Sequence, residues 1–139
     1  MIILDSDVLS SLMHDSPEQR VARWLDSQSR ESVWTTAITL MEIRFGINLL
    51  SRSRQRSSLE RYLDKILNDI LGARVIAFEA SAATATAALM ADRQRRGRRG
   101  DIRDSMIAGI AIAHQATLAT RNIRHFEDLP VAVVNPWTD

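Results

Sequence analysis

Cysteine is absent from this 139-residue chain, proline occurs three times, glycine five times, and aromatic residues make up only 5 %. Without cysteine there is no disulfide, no thiolate nucleophile and no cysteine-ligated zinc, a composition that suits a reducing cytoplasm. No repeat and no Pro/Gly/Ser-rich linker interrupts the chain, so a single domain over residues 1–139 is expected. The hydrophobic fraction of 45 % is enough for a core, and the shortage of aromatics makes that core aliphatic. No apolar run approaches the roughly 18–20 residues of a membrane helix, so no membrane partner is expected. The opening Met1-Ile2-Ile3-Leu4-Asp5 lacks a basic region and meets a charge at once, so it does not read as a signal peptide. Lysine is nearly missing too: Lys65 is the one lysine among 18 basic residues, in a chain of net charge +1. Arginine suits bidentate phosphate contact; codon usage in a GC-rich genome accounts for the bias equally well.

Five short apolar runs, at residues 2–4, 33–36, 75–78, 117–120 and 131–134, read as strands. Helical patterns separate them. Ser16-Pro17-Glu18-Gln19 reads as a capped helix start, followed by the stripe Val21, Trp24, Leu25. Leu59, Tyr62, Leu63, Ile66, Leu67 and Ile70 recur at spacings of three and four, and Gly72 ends that helix. Residues 82–90 are alanine-rich, and residues 101–115 carry Ile102, Met106, Ile107 and Ile110 on one side. Strand–helix alternation predicts an α/β fold, a three-layer α/β/α sandwich on a mainly parallel five-stranded sheet. Sites in such sheets lie beyond the carboxyl ends of the strands.

The residues at those ends are acidic or polar. Asp5 and Asp7 follow the first strand, Glu42 lies in the expected first turn of the next helix, Asp104 opens a later helix, and Asn122 follows the fourth strand. Capping is the plain alternative for two of them: Thr39-Leu40-Met41-Glu42 has capping-box spacing, and Asp101 to Asp104 forms an acidic helix start. Asp5 is harder to account for, since a carboxylate directly after a buried strand is costly unless paired, hydrogen-bonded or metal-bound. Several acids converging on one sheet edge repel one another. A hard divalent ion such as Mg²⁺ or Mn²⁺ relieves that repulsion and stabilises charge on a phosphate. His14, His114 and His125 are scattered, with neither zinc-ligand spacing nor a serine–histidine–acid order.

In order along the chain, four segments resemble the PIN-domain nucleases. These are Ile2-Ile3-Leu4-Asp5-Ser6-Asp7-Val8, Thr39-Leu40-Met41-Glu42-Ile43-Arg44-Phe45-Gly46, Asp104-Ser105-Met106-Ile107-Ala108-Gly109, and Ala119-Thr120-Arg121-Asn122-Ile123-Arg124-His125-Phe126. With Asn135-Pro136-Trp137, the set is most similar to the VapC-type toxins of type II toxin–antitoxin systems, in the FitB-like branch. The resemblance implies Mg²⁺- or Mn²⁺-dependent hydrolysis of RNA phosphodiester bonds. Asp5, Asp104 and Glu42 would be metal ligands, and Asn122 would orient the site. It also implies a homodimer, inhibition by a VapB-like antitoxin, and contact with operator DNA only through that antitoxin. This sequence departs from the pattern at three places: Asn122 stands where an acid is common, His125 at an often acidic position, and Asp7 where Asn or Ser is usual. The Asp7 carboxylate offers a compensation for Asn122.

Two arginine clusters flank these motifs. Arg93, Arg95, Arg96, Arg98 and Arg99 crowd the approach to Asp104, with Arg96, Arg98 and Arg99 as candidate RNA contacts, and Arg52, Arg54 and Arg56 form the second. A solvated turn is the alternative reading. Residues 43–50 and the outer side of 59–71 are apolar enough to pack a second subunit. Two other functions fit parts of the sequence. Asp5-Ser6-Asp7-Val8 with Gly100-Asp101-Ile102-Arg103-Asp104 resembles a haloacid-dehalogenase-like phosphatase, and the acids could instead be caps in a non-catalytic binding module.

Overall fold

In the computed structural model, which describes residues 1–139, the chain forms a five-stranded, wholly parallel sheet with helices on both faces. Strands β1 (Ile2–Leu4), β2 (Val33–Thr36), β3 (Val75–Ile76), β4 (Thr117–Ala119) and β5 (Val133–Val134) lie in the order β3-β2-β1-β4-β5. Ile3 pairs with Trp34 on one side and Leu118 on the other. The edge strands keep only two residues each, shorter than their apolar runs, because each has a single partner.

Alternation along the strands divides the core into two layers. Ile3 and Leu118 face α5 (Ala80–Arg95) and α6 (Ile102–Ala113), joining Leu89, Ile107 and Phe126. Leu4 and Ala119 face the other way, towards α1 (Ser6–Leu12), α2 (Gln19–Asp26), α3 (Ala37–Leu49) and α4 (Arg54–Lys65). The α4 stripe runs on through one π-helical segment, Ile66–Ile70, and Gly72 then turns the chain at φ 52°. The three-layer expectation therefore holds.

Four local expectations do not. The second helix begins at Gln19 with Glu18 as its cap, not at Ser16. Ile102 is exposed, because the first turn of α6 projects past the core. Glu42 lies in the second turn of α3, because β2 runs straight into that helix. Thr36 ends the strand and also caps the helix, accepting the Thr39 N–H at 3.0 Å. Thr39 and Glu42 consequently form no capping box, so capping does not explain Glu42.

Candidate active site

The strand order reverses direction between β1 and β4. In a parallel sheet the crevice at such a switch, beyond the carboxyl ends of the strands, is the place where a ligand is held. Asp5 sits in it. Its N–H donates to the Ala119 carbonyl at 2.9 Å, which draws the residue inward until it is 3 % exposed. Its Oδ1 accepts the Ser6 N–H (2.8 Å), capping α1, and its Oδ2 accepts the Thr120 hydroxyl (2.8 Å). Burial, then the neighbouring Asp7 charge and a smaller push from Asp104, raise the Asp5 carboxyl to about 7, against the lowering effect of the Thr120 and Ser6 hydrogen bonds.

Asp7 faces the same segment. Its Oδ2 accepts the Arg121 N–H at 2.9 Å and lies 3.3 Å from the Thr120 hydroxyl, while its Oδ1 is buried without a partner. Burial raises this carboxyl as well. Glu42 enters from α3. Its Oε1 is likewise buried and unpartnered, and its Oε2 lies 3.8 Å from the Arg103 guanidinium. Burial raises its proton affinity, Arg103 opposes the rise, and Asp104 and Asp101 add to it. Asp104, in the first turn of α6, has its Oδ2 3.0 Å from His125 Nδ1.

The structure thus brings Asp5, Asp7, Glu42 and Asp104 to one end of the sheet, near enough for their charges to act on one another though not for three of them to share an ion. Asn122 stands at its rim, exposed, and is tied in through its backbone N–H, which donates to Thr120 Oγ1 at 3.1 Å. Thr120, Arg103 and His125 complete the set. Thr120 lay inside a recognised motif, but no local feature showed that its hydroxyl would reach an acid on another strand.

The donor chemistry fits a hard divalent cation. All the candidate ligands are carboxylate oxygens, and one of them, on Glu42, is buried with no donor, as is one on the neighbouring Asp7, a costly state that a cation relieves. No three acids or histidines converge closely enough to share one ion as they stand. Each has settled on its own partner, Asp104 on His125 and Glu42 towards Arg103, so gathering them requires those two pairs to part.

Beside Asp104 lies a cleft of about 200 Å³ lined by Arg98, Arg99, Arg124 and His125. Arg93, expected in the exposed cluster, is instead buried. It grips the Asp128 carboxylate with Nε (2.9 Å) and Nη2 (2.8 Å), and donates to the His125 carbonyl (2.8 Å). Arg96 is not among the lining residues; its guanidinium turns to Asp92 at 3.3 Å. The phosphatase reading loses its footing: Gly100 to Asp104 runs from an interhelical loop into the first turn of α6 rather than ending a strand, and Lys65 is exposed.

The family model for the PIN domain matches residues 2–131. The VapC ribonuclease Y4jK of Sinorhizobium fredii is 34 % identical over 99 % of this chain and 98 % of its own length. Toxin FitB of Neisseria gonorrhoeae is 34 % identical over 100 % of both chains. Among solved structures, FitAB bound to an IR36 DNA fragment contains a chain that superimposes with a TM-score of 0.88 at 32 % identity, covering 100 % of this chain and 97 % of that one.

Proposed function

This chain belongs to the PIN-domain family, and from that membership we propose that it is the ribonuclease toxin of a toxin–antitoxin pair, hydrolysing RNA phosphodiester bonds with the aid of Mg²⁺ or Mn²⁺. Residues 1–139 then form one such domain. The observation that carries the reading is the set of one buried and three half-buried carboxylates around the switch between β1 and β4, with one oxygen on Asp7 and one on Glu42 buried without a donor. Solvated caps would leave no such oxygens.

Asp5, Asp104 and Glu42 would hold the ion, which supplies positive charge against the phosphate oxygens. Asp5 is suited to a fixed role, since Ser6, Thr120 and the Ala119 carbonyl hold it from three sides. Alternatively to holding the ion, Glu42 is suited to take a proton from the attacking water, because burial raises its proton affinity. Asn122 orients the rim. Arg98 and Arg99, with Arg124, present guanidinium groups along the cleft that leads to Asp104, where they would meet the phosphates of the RNA strand. Arg96 would contact RNA only outside that cleft.

By likeness to FitAB, whose solved complex holds a DNA fragment, the partner would be a VapB-like antitoxin through which operator DNA is reached; the exposed Met41, Phe45 and Leu49 on α3 support a homodimer. No helix is long and apolar enough to cross a membrane. A gel assay on several RNAs, with wild type and Asp104→Ala, in Mn²⁺ and in excess chelator, tests the activity. Cleavage is expected in wild type with Mn²⁺ alone. Full cleavage in chelator, or an active and folded Asp104→Ala variant, refutes the proposed site.

A further inference from the structure

Arg103 is out of place by the rules for helix ends. It occupies the first turn of α6, where the helix dipole disfavours a cation. Three acids compensate. Asp101 accepts its backbone N–H at 2.7 Å and engages its side chain twice, Oδ1 to Nε at 3.2 Å and Oδ2 to Nη2 at 3.1 Å. Asp104 follows it directly. Glu42, reaching over from α3, brings Oε2 to 3.8 Å from Nη1, close enough to form an ion pair but too far for a hydrogen bond. The guanidinium is therefore anchored by Asp101 and leans on Glu42.

We propose that Arg103 is a resident counter-cation of the acid cluster, and that a divalent ion binds by displacing this chain's own guanidinium from Glu42. The inference rests on the assignment of Glu42 as a metal ligand made above. The arrangement makes displacement easy. Nothing but charge joins Arg103 to Glu42, so Glu42 can turn to an ion without breaking a hydrogen bond. Arg103 keeps its two contacts to Asp101 throughout, and its side chain, 44 % exposed, has water to move into. Arg103 then weakens cation binding chiefly by competing for the Glu42 carboxylate, with through-space repulsion of the incoming ion a smaller contribution. Both are electrostatic and partly exposed, so both weaken with salt. This makes Arg103 a positioning residue that sets metal affinity.

The test is Mn²⁺ binding measured by calorimetry on wild type, Arg103→Gln, Arg103→Lys, Glu42→Gln and the double variant, at low and high salt, with melting curves to verify the fold. Arg103→Gln is expected to bind Mn²⁺ tighter by about threefold or more at low salt, the scale of a half-exposed ion pair. The gain should shrink at high salt, and Arg103→Lys should stay near wild type. In the Glu42→Gln background the Arg103→Gln gain should largely vanish, because the carboxylate they contest is gone. Unchanged or weaker Mn²⁺ binding by Arg103→Gln overturns the inference. So does an equal gain in both backgrounds, which would mean a general charge effect. A wild-type protein that binds no Mn²⁺ overturns both the inference and the metal assignment beneath it. Wild-type binding with a silent Arg103→Gln overturns the inference alone.

Discussion

Asp5 is 3 % exposed and its carboxyl is raised to about 7 from an ordinary 3.8, so the folded protein holds a proton there that the unfolded chain sheds three pH units earlier. Between about pH 4 and 7 the native state therefore binds more protons at this residue than the unfolded state, and stability contributed here falls as pH rises, levelling off above 7. A shift of that size is worth a few kcal/mol, on the order of 1.4 per unit. Asp5→Asn removes the ionisation but keeps an oxygen for the Ser6 N–H. In chelator at pH 8 it should melt higher than wild type, with the difference closing towards pH 4, while RNA cleavage is lost. A variant that melts lower at pH 8 contradicts the account. The acid itself could be picked out from the sequence, because a carboxylate following a buried strand is conspicuous. Its partner could not: Thr120 lies 115 residues away, brought alongside by the pairing of β1 with β4.

Helices α5 and α6 carry Arg93 and Asp104 respectively, and they pack closely because of one small residue. A Cβ on Gly109 would overlap the Thr86 hydroxyl and stand 2.8 Å from the Ala82 carbonyl. Thr86 on the facing helix thus accounts for the glycine here. Alanine would gain about 1 kcal/mol in helix propensity, but wedging apart a packed helix pair costs typically 1–3 kcal/mol and more where backbone must move. Gly109→Ala is thus expected to be destabilising in urea denaturation. Thr86→Ala should restore only part of the loss, since the Ala82 carbonyl remains. A neutral Gly109→Ala would mean that the helices slide apart freely. Elements of this kind are legible from apolar spacing, and all five strands were found. What periodicity misses is where ends are fixed by other parts of the chain. Thr36 caps α3 because β2 delivers it there. Arg93 reads as one more helix-end cation until Asp128, 35 residues on, is seen to bury it.

Across the whole molecule, the apolar surface lies next to the acid cluster. Met41, Phe45 and Leu49 recur every fourth residue on α3 and are 51 %, 57 % and 70 % exposed, a continuous stripe on the helix that also carries Glu42. Scattered exposed apolar side chains are ordinary, but a stripe along one helix implies a covering surface. A second copy of this chain meets that need in the proposed homodimer. Two-fold pairing would set one stripe against the other, since the same patch recurs on each subunit. Whatever covers Met41 also comes within one residue of Glu42, so assembly and the mouth of the acid cluster share a helix. Phe45→Glu with Leu49→Glu places two like charges from each subunit into that contact while leaving the buried residues Ile43 and Ile47 in the core. Sedimentation equilibrium should show wild type as a dimer and the double variant as a monomer, with an unchanged circular dichroism spectrum. If the variant remains a dimer with a normal spectrum, the stripe is not the subunit contact, and the dimer must close through another face.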